Sequence, residues 1–458
     1  MQAFTDSWEW NTDARQAYEE IVEAGGKVAD TMRAFRTMLG ASDMLAYLSM
    51  MAPRLIELRR VLKPTGSLWL HCDPTASHYL KILLDAVFGA RNFRNEIIWD
   101  YSFRTMITPV RLSRKHDVLL FFAKSDAHRI NTPVLPWTRD EIIRVRKQEI
   151  HTDAEGREWV WMPGGIGHSK NKPKFLDDIM AEGKPVSDVW HIGTITSSSK
   201  ERLGYPTQKP LTLLERVLAM SSNPGDLVLD PFCGCGTTVD AAQDLGRQWI
   251  GIDITHLAIG LIKHRLVDRY GPAIASTYRT VGEPTTVDDA RVLAQEDPFQ
   301  FQAWALGLVG ARVAGSDRKG GDKGIDGRLY FHEGGSETRQ IVFSVKAGHL
   351  VPTFVRDLRG VIEREKAEIG VLLSFEEPTA GMRSEAAEAG FYKSPWGQHS
   401  RIQLRTVGDL LAAKGIDYPH VTGANVTHRR ANRVLGAPAE SLELFAAEEP
   451  KPYGPDSD

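Results

Sequence analysis

Val-Leu-Asp-Pro-Phe-Cys-Gly-Cys-Gly-Thr-Thr, residues 228–238, decides how this chain is read. An apolar run delivers Asp230 to its carboxyl end, Gly234 and Gly236 let the backbone turn tightly beside a ligand, and Thr237 and Thr238 open a helix. The next apolar run, Gln-Trp-Ile-Gly-Ile-Asp-Ile at 248–254, predicts a second strand ending near Asp253, and another helix starts near Thr255. In an open α/β sheet neighbouring strand ends border one crevice, so Asp253 is expected to reach the two ribose hydroxyls of an adenosine ligand. A phosphate-gripping loop is disfavoured, because Asp-Pro-Phe precedes the first glycine and no lysine follows the last.

Working outward, the helix Leu-Thr-Leu-Leu-Glu-Arg-Val-Leu after Pro210 leads into this unit. Further upstream, residues 42–63 carry apolar positions at helical spacing behind Ser42, a capping residue. Short apolar runs at 67–71, 96–102 and 117–123, with a helix at 75–88, continue the α/β alternation. The expected fold class is α/β, a doubly wound Rossmann-like sheet with an inserted region, plus a smaller α/β domain at the C-terminus.

The order Asp230, Pro231, Phe232, Gly234, Gly236, Thr237, Thr238 resembles the cofactor motif Asp-Pro-Phe-x-Gly-x-Gly-Thr-Thr of the N4/N6 amino-methyltransferases of DNA in their permuted (β) order. YPTQKPLTLLERVL at 205–218 resembles the family's other cofactor-contacting motif, with Thr207, Gln208, Lys209 and Pro210 bounding the methionine end of the ligand. The likeness extends over residues 42–123. It implies a methyltransferase with S-adenosylmethionine as donor and double-stranded DNA as substrate. The acceptor would be the exocyclic amine of an extruded adenine (N6) or, alternatively, of cytosine (N4). A place in a restriction–modification system, as a homodimer or beside a partner subunit, would follow.

The family's catalytic tetrapeptide, Asp-Pro-Pro-Tyr, does not occur in the 458 residues. Its expected place is ahead of FTDSWEWN at 4–11, so the chain reads as truncated at its N-terminus, with no residue assigned to methyl transfer. Asp73, in Cys-Asp-Pro-Thr at 72–75, is the nearest substitute, but a second proline and an aromatic ring are missing there. A DNA-binding remnant is the alternative reading.

Between 104 and 204, Trp137, Trp159, Trp161 and Trp190 are interleaved with Arg111, Arg114, Lys115, Arg144, Arg146 and Lys147. Two readings fit: a target-recognition surface following a phosphate backbone, or an irregular lid with core tryptophans and solvated charges.

A polar stretch at 282–296 reads as a linker, closing a first domain at 1–281 and opening a second at 297–415; residues 416–458 read as a disordered tail. In the second domain GIDG at 324–327 and VFSVKAG at 342–348 resemble the Mrr-like branch of the restriction-endonuclease fold. That resemblance makes Asp326 a Mg²⁺ ligand and Lys346 its catalytic partner. Ser344 stands where Glu or Gln is usual, which weakens a hard-cation site. Active nuclease, DNA-binding remnant and unrelated α/β domain all remain open.

A net charge of −3 places any DNA contact on local patches, and three cysteines, Cys72, Cys233 and Cys235, read as free thiols. With no signal peptide and no apolar run of roughly 18 residues, a cytoplasmic location is expected.

Overall fold

The computed structural model describes residues 8–428 apart from 102–111, 133, 136, 138, 147–148, 163–171, 315–323, 334–336 and 420–424. Asn11 and Ser42 accept amide hydrogen bonds from Ala14 and Leu45, starting α1 (Thr12–Ala24) and α3 (Asp43–Val61); α2 (Gly26–Leu39) lies between them. With α4 (Ser77–Phe88) these helices bury Met32, Phe35, Leu45, Leu48, Leu80 and Leu84 against a sheet. That sheet has the order β1-β3-β2-β9, from Ser67–Cys72, His116–Ala123, Phe93–Asp100 and Val189–His191. β3 is antiparallel to both β1 and β2, whereas β9 runs parallel to β2. Side chains alternate along β3: Val118, Leu120 and Phe122 face the helices, while Leu119 and Phe121 face the other core.

That second core includes Trp99, Trp190, Leu213 and Val217, the last two from α7 (Leu211–Ser221). The insertion ahead of β9 has a small core of its own, Ile142, Val160, Leu176 and Ile179. It contains α5 (Arg139–Arg146), α6 (Leu176–Glu182), the pair β4 (Val134–Leu135) and β8 (Lys184–Pro185), and the sheet β5-β6-β7 from His151–Thr152, Glu158–Met162 and Lys172–Phe175. Its tryptophans divide between the two expectations. Trp190 is 1% exposed and belongs to the core, whereas Trp161 is 40% exposed beside Trp159 and His151.

The glycine-loop unit is β10 (Leu227–Asp230), α8 (Thr237–Asp244), β11 (Gln248–Gly251) and α9 (His256–Tyr270). β10 and β11 pair in parallel, but the single doubly wound sheet expected from the sequence is not formed. Among the described residues, β10 and β1 each keep one edge without a strand partner. Even so, the two strands start and end together. Arg129 donates its amide to the Thr65 carbonyl ahead of β1 and pairs with Asp226 ahead of β10; Asn131 bonds the carbonyls of Met220 and Ser222. Lys209, just ahead of α7, has its carbonyl bonded by Thr237 of α8 and its ammonium in the field of Asp117 on β3, and α7 packs on both sheets, through Leu213 on one and Leu218 on the other.

The linker expectation is corrected: residues 287–296 form α10 (Val287–Glu296), started by a capping box between Thr286 and Asp289. Ala290 and Ala294, one helical turn apart, are buried in the C-terminal core. That core lies under a sheet of order β12-β13-β14-β15-β18, from Arg312–Val313, Gly327–His332, Thr338–Lys346, Ile369–Ser374 and Ile402–Thr406. Helices α11 (Pro298–Leu308), α12 (Thr353–Glu365), α13 (Ala380–Glu388) and α14 (Val407–Leu411) and the hairpin β16 (Phe391–Ser394) and β17 (Gly397–Ser400) complete it. The tail expectation also changes. Ile416 and Tyr418 are buried, Asn425 bridges to Phe331, and His428 stacks on His264 of α9 at 4.5 Å; residues 429–458 lie outside the described residues.

Candidate cofactor and active site

Gly234 (φ 50°) and Gly236 (φ 76°) both sit in the left-handed region, which favours glycine. A Cβ on Gly236 would stand 2.6 Å from Ile262 of α9, and one on Gly234 would stand 3.1 Å from Tyr205, so the loop is held between these side chains. Asp230 accepts the Phe232 amide at 3.0 Å, and burial pushes its carboxyl up from the usual range. Asp253 accepts the Gly234 amide at 3.0 Å and the Thr255 amide and hydroxyl at 2.9 and 2.8 Å. A carboxylate offers about four acceptor positions, so this one fixes the loop first and keeps room for about one further hydroxyl. Phe232 and Ile252, each 50% exposed, form an apolar rim beside it. The cradle therefore fits a nucleoside: a flat apolar edge, a carboxylate with free acceptor capacity, and left-handed backbone, favoured by glycine, with no room for a side chain at Gly236.

Behind the loop lies a buried ionic network. Asp240, with no exposed side-chain surface, meets Arg265 at 2.6 Å and Arg269 at 2.8 Å and accepts the Tyr270 hydroxyl at 2.8 Å. Arg265 also donates to the Thr237 hydroxyl, which donates to the Lys209 carbonyl at 3.2 Å. The loop and the 205–210 segment are thus joined. Within that segment Gln208 is taken up by local structure: its carbonyl accepts the Leu203 amide and its amide donates to the Glu201 carbonyl. Lys209 is half-buried, which lowers its pKa; its ammonium donates to the Thr207 carbonyl at 3.1 Å and lies in the fields of Asp117 and Cys235. The thiols of Cys233 and Cys235 are both pushed up by burial, Cys233 to about 12, and all three cysteines are free.

Across Lys209 stands a polar group that sequence reasoning missed. His71 Nε2 is 2.9 Å from Asp117 Oδ2, and the Tyr101 hydroxyl donates to Asp117 Oδ1 at 3.4 Å. Burial, the largest single influence, would raise the Asp117 carboxyl, but the hydrogen bond and field of His71, the field of Lys209 and the Tyr101 hydroxyl together hold its pKa below the usual value; burial lowers His71. Asp73, the nearest substitute for the missing tetrapeptide, is instead a cap: its Oδ1 accepts the Thr75 and Ala76 amides, and Oδ2 lies 3.4 Å from Arg114. Of the expected DNA contacts, Arg114 is exposed and Lys115 half-buried; Arg144 and Arg146 fall on α5, while Arg111 lies outside the described residues.

In the C-terminal unit Asp326 and Lys346 do come together, 3.8 Å apart, and Asp326 Oδ2 also accepts the Val345 amide at 2.7 Å. Ser344 is buried and neutral beside them. The pair is close to charge-neutral, which does not fit a divalent cation, a guest that requires anionic oxygen ligands. Among the described residues no group of three His, Cys, Asp or Glu side chains is placed to hold a metal ion. The loop ahead of GIDG, whose Gly320, Gly321 and Lys323 suit either a phosphate contact or a plain connector, lies outside the described residues. Within the described residues no helix is long and apolar enough to cross a membrane.

Comparison with known proteins gives one family match: the model described as DNA methylase, of the N6/N4 type, matches residues 27–264. The chain is 30% identical over 258 residues to the type II methyltransferase M.EcaI of Enterobacter cloacae, covering 48% of this chain and 57% of that protein. To M.BamHI of Bacillus amyloliquefaciens it is 34% identical over 215 residues, covering 46% and 44%. M1.MboII of Moraxella bovis is 30% identical over 198 residues, covering 42% and 69%. The chain thus spans about half the length of the first two of these relatives. A solved structure, the M1.HpyAVI complex with SAM, is 19% identical with a TM-score of 0.29, covering 47% of this chain and 82% of that one.

The α7 face beneath the cofactor segment has a pH signature. Burial, with the Asp244 carboxyl close by, pushes Glu215 up to about 7. Its folded pKa therefore exceeds the ordinary carboxylate value, and the unfolded chain ionises first as pH rises from about 4.5 to 7, so stability falls across that window. Glu215→Gln should stabilise the protein by about 1–2 kcal/mol at pH 8, discounted for partial exposure, and by almost nothing at pH 4.5. Denaturant titrations at the two pH values check this; equal gains at both would contradict it.

Proposed function

The chain belongs to the N6/N4 DNA methylase family, and from that premise we propose that it binds S-adenosylmethionine at the β10–β11 rim and directs the methyl group to an exocyclic amine in duplex DNA. The acceptor is adenine N6 or, as the second possibility, cytosine N4, and the setting is a restriction–modification system. One observation carries the reading: the loop 230–238 is built around left-handed glycines and tied by Gly234 to the Asp253 carboxylate. Asp230, Pro231, Phe232, Gly234, Gly236, Thr237, Thr238 and Asp253 would hold the nucleoside, with Thr207, Gln208, Lys209 and Pro210 shaping the methionine end. When bound, the cofactor supplies a methyl group on a good sulfonium leaving group, so the protein's part is to orient donor and amine.

Isothermal titration of S-adenosylmethionine into the full chain tests this. Binding should weaken at least tenfold in Asp253→Ala, and methyl incorporation into mixed-sequence DNA should follow from the bound state. A chain that takes up no S-adenosylmethionine would end the proposal.

The 104–204 insertion is proposed to read the target, supported by its basic residues and by the exposed Trp161 ring. Replacing Arg111, Arg114 and Arg146 by alanine should reduce the slope of log affinity against log salt by roughly 2–3, at roughly 0.9 for each phosphate that is no longer neutralised. Unchanged salt titrations would remove the assignment.

For the C-terminal unit the neutral Asp326–Lys346 pair favours DNA holding without cleavage. Supercoiled plasmid incubated with the chain and Mg²⁺ should therefore stay intact. Nicking that disappears in Lys346→Ala would establish a nuclease instead.

A further inference from the structure

The polar group across Lys209 is not explained by cofactor binding. Arg129 ties the starts of β1 and β10 together at Thr65 and Asp226, and Lys209, whose carbonyl accepts the Thr237 hydroxyl at the start of α8, has its ammonium in the field of Asp117, so the carboxyl end of β1 lies toward the glycine loop. His71 is on β1, Asp117 at the start of the antiparallel β3, and Tyr101 just past the end of β2. Three strand ends therefore converge on one carboxylate at this rim. The His71 and Asp117 side chains are 30% and 21% exposed, sheltered yet reachable from solvent.

The tautomer follows from the chemistry. An ionised Asp117 only accepts, so His71 Nε2 must carry the proton of their 2.9 Å bond. Nδ1 is then left as a lone pair, with no hydrogen-bond partner among the described residues. This is the arrangement of a neutral base steered by a carboxylate, in which a proton gained at Nδ1 is stabilised by Asp117 through the ring.

We propose that His71, oriented by Asp117 and Tyr101, faces the point of methyl delivery and accepts the proton that the target amine must lose. This rests on the cofactor reading above. The amine nitrogen's electron pair forms the N–CH₃ bond as the S–CH₃ pair returns to sulfur, leaving a neutral thioether. The N–H proton of the resulting alkylammonium passes to His71 Nδ1, and the neutral methylamine leaves. Asp117 and Tyr101 are positioning residues. The charged groups facing the imidazole are Asp117 on β3, Asp73 after β1 and Lys209 before α7, with Tyr101 behind Asp117.

Two non-reactive ligands separate this from a structural role. Sinefungin carries an amine where the donor carries its methyl, and S-adenosylhomocysteine carries nothing there. In Asp117→Asn, sinefungin affinity should fall about tenfold while S-adenosylhomocysteine stays within about twofold, its binding also reporting an intact loop. In the parent chain the sinefungin to S-adenosylhomocysteine affinity ratio should drop once the pH falls below the ordinary histidine range, since burial lowers His71 and the imidazolium that then forms would repel the ligand's ammonium, and His71→Asn should flatten that step. Equal losses for both ligands, no loss for either, or an unchanged pH step in His71→Asn would overturn the assignment. Failure of the parent chain to bind either ligand would instead bring down the cofactor reading, and this inference with it.

Discussion

Asp240 is a full negative charge with no solvent contact, and the site depends on how that charge is matched. Removing one partner of such a buried pair typically costs about 3–5 kcal/mol, because the remaining charge is left without compensation. Arg265 and Arg269 come from α9, Asp240 from the first turn of α8, and Thr237 relays the network to the backbone at Lys209. The glycine loop is the start of α8. Its geometry is therefore fixed from behind by an interaction that leaves its front face free for a ligand.

The same logic of ties joins the two sheets. No strand pairing joins β1 to β10 among the described residues, yet α7 packs on both sheets, and Arg129 ties their starting ends. α7 contributes Leu213 and Val217 to one sheet and Leu218 to the other, so a single amphipathic helix sets the relative height of the two strand-end rims. Convergence of His71, Asp117 and Lys209 with the glycine loop is a product of that packing rather than of local sequence.

This explains which parts were legible in the chain. The loop 228–238, α3, β1, β3 and α9 carry their own signals: a cap, a period or a glycine in an obligatory conformation. α10 did not, because its buried positions are alanines set among Asp288, Asp289, Arg291 and Glu296, a composition that also suits a solvated connector. α1 buries Ile21 alone, too little for periodicity to reveal. His71 and Asp117 are separated by 46 positions and meet because β1 and β3 are antiparallel, a register that no short motif encodes. Asp240 and Arg265, 25 apart, are hidden for the same reason, since neither looks unlike an ordinary surface charge until α8 and α9 are packed.

Charge at the rim narrows the kind of ligand it can take. Asp230, Asp253, Asp117 and Asp73 all stand at strand ends, and the cations beside them are already matched: half-buried Lys209 lies in the field of Asp117, and exposed Arg114 is 3.4 Å from Asp73. A nucleotide bringing phosphates would set negative charge against these carboxylates, with few donors besides backbone amides to receive it. A nucleoside bearing a sulfonium reverses that sign: its positive centre sits comfortably among acids, and one of its hydroxyls can take the acceptor position that Asp253 retains. Electrostatics and loop geometry therefore favour the same class of molecule. The carboxylates would disfavour phosphates whatever the glycine pattern, so the two supports for a sulfonium donor are independent.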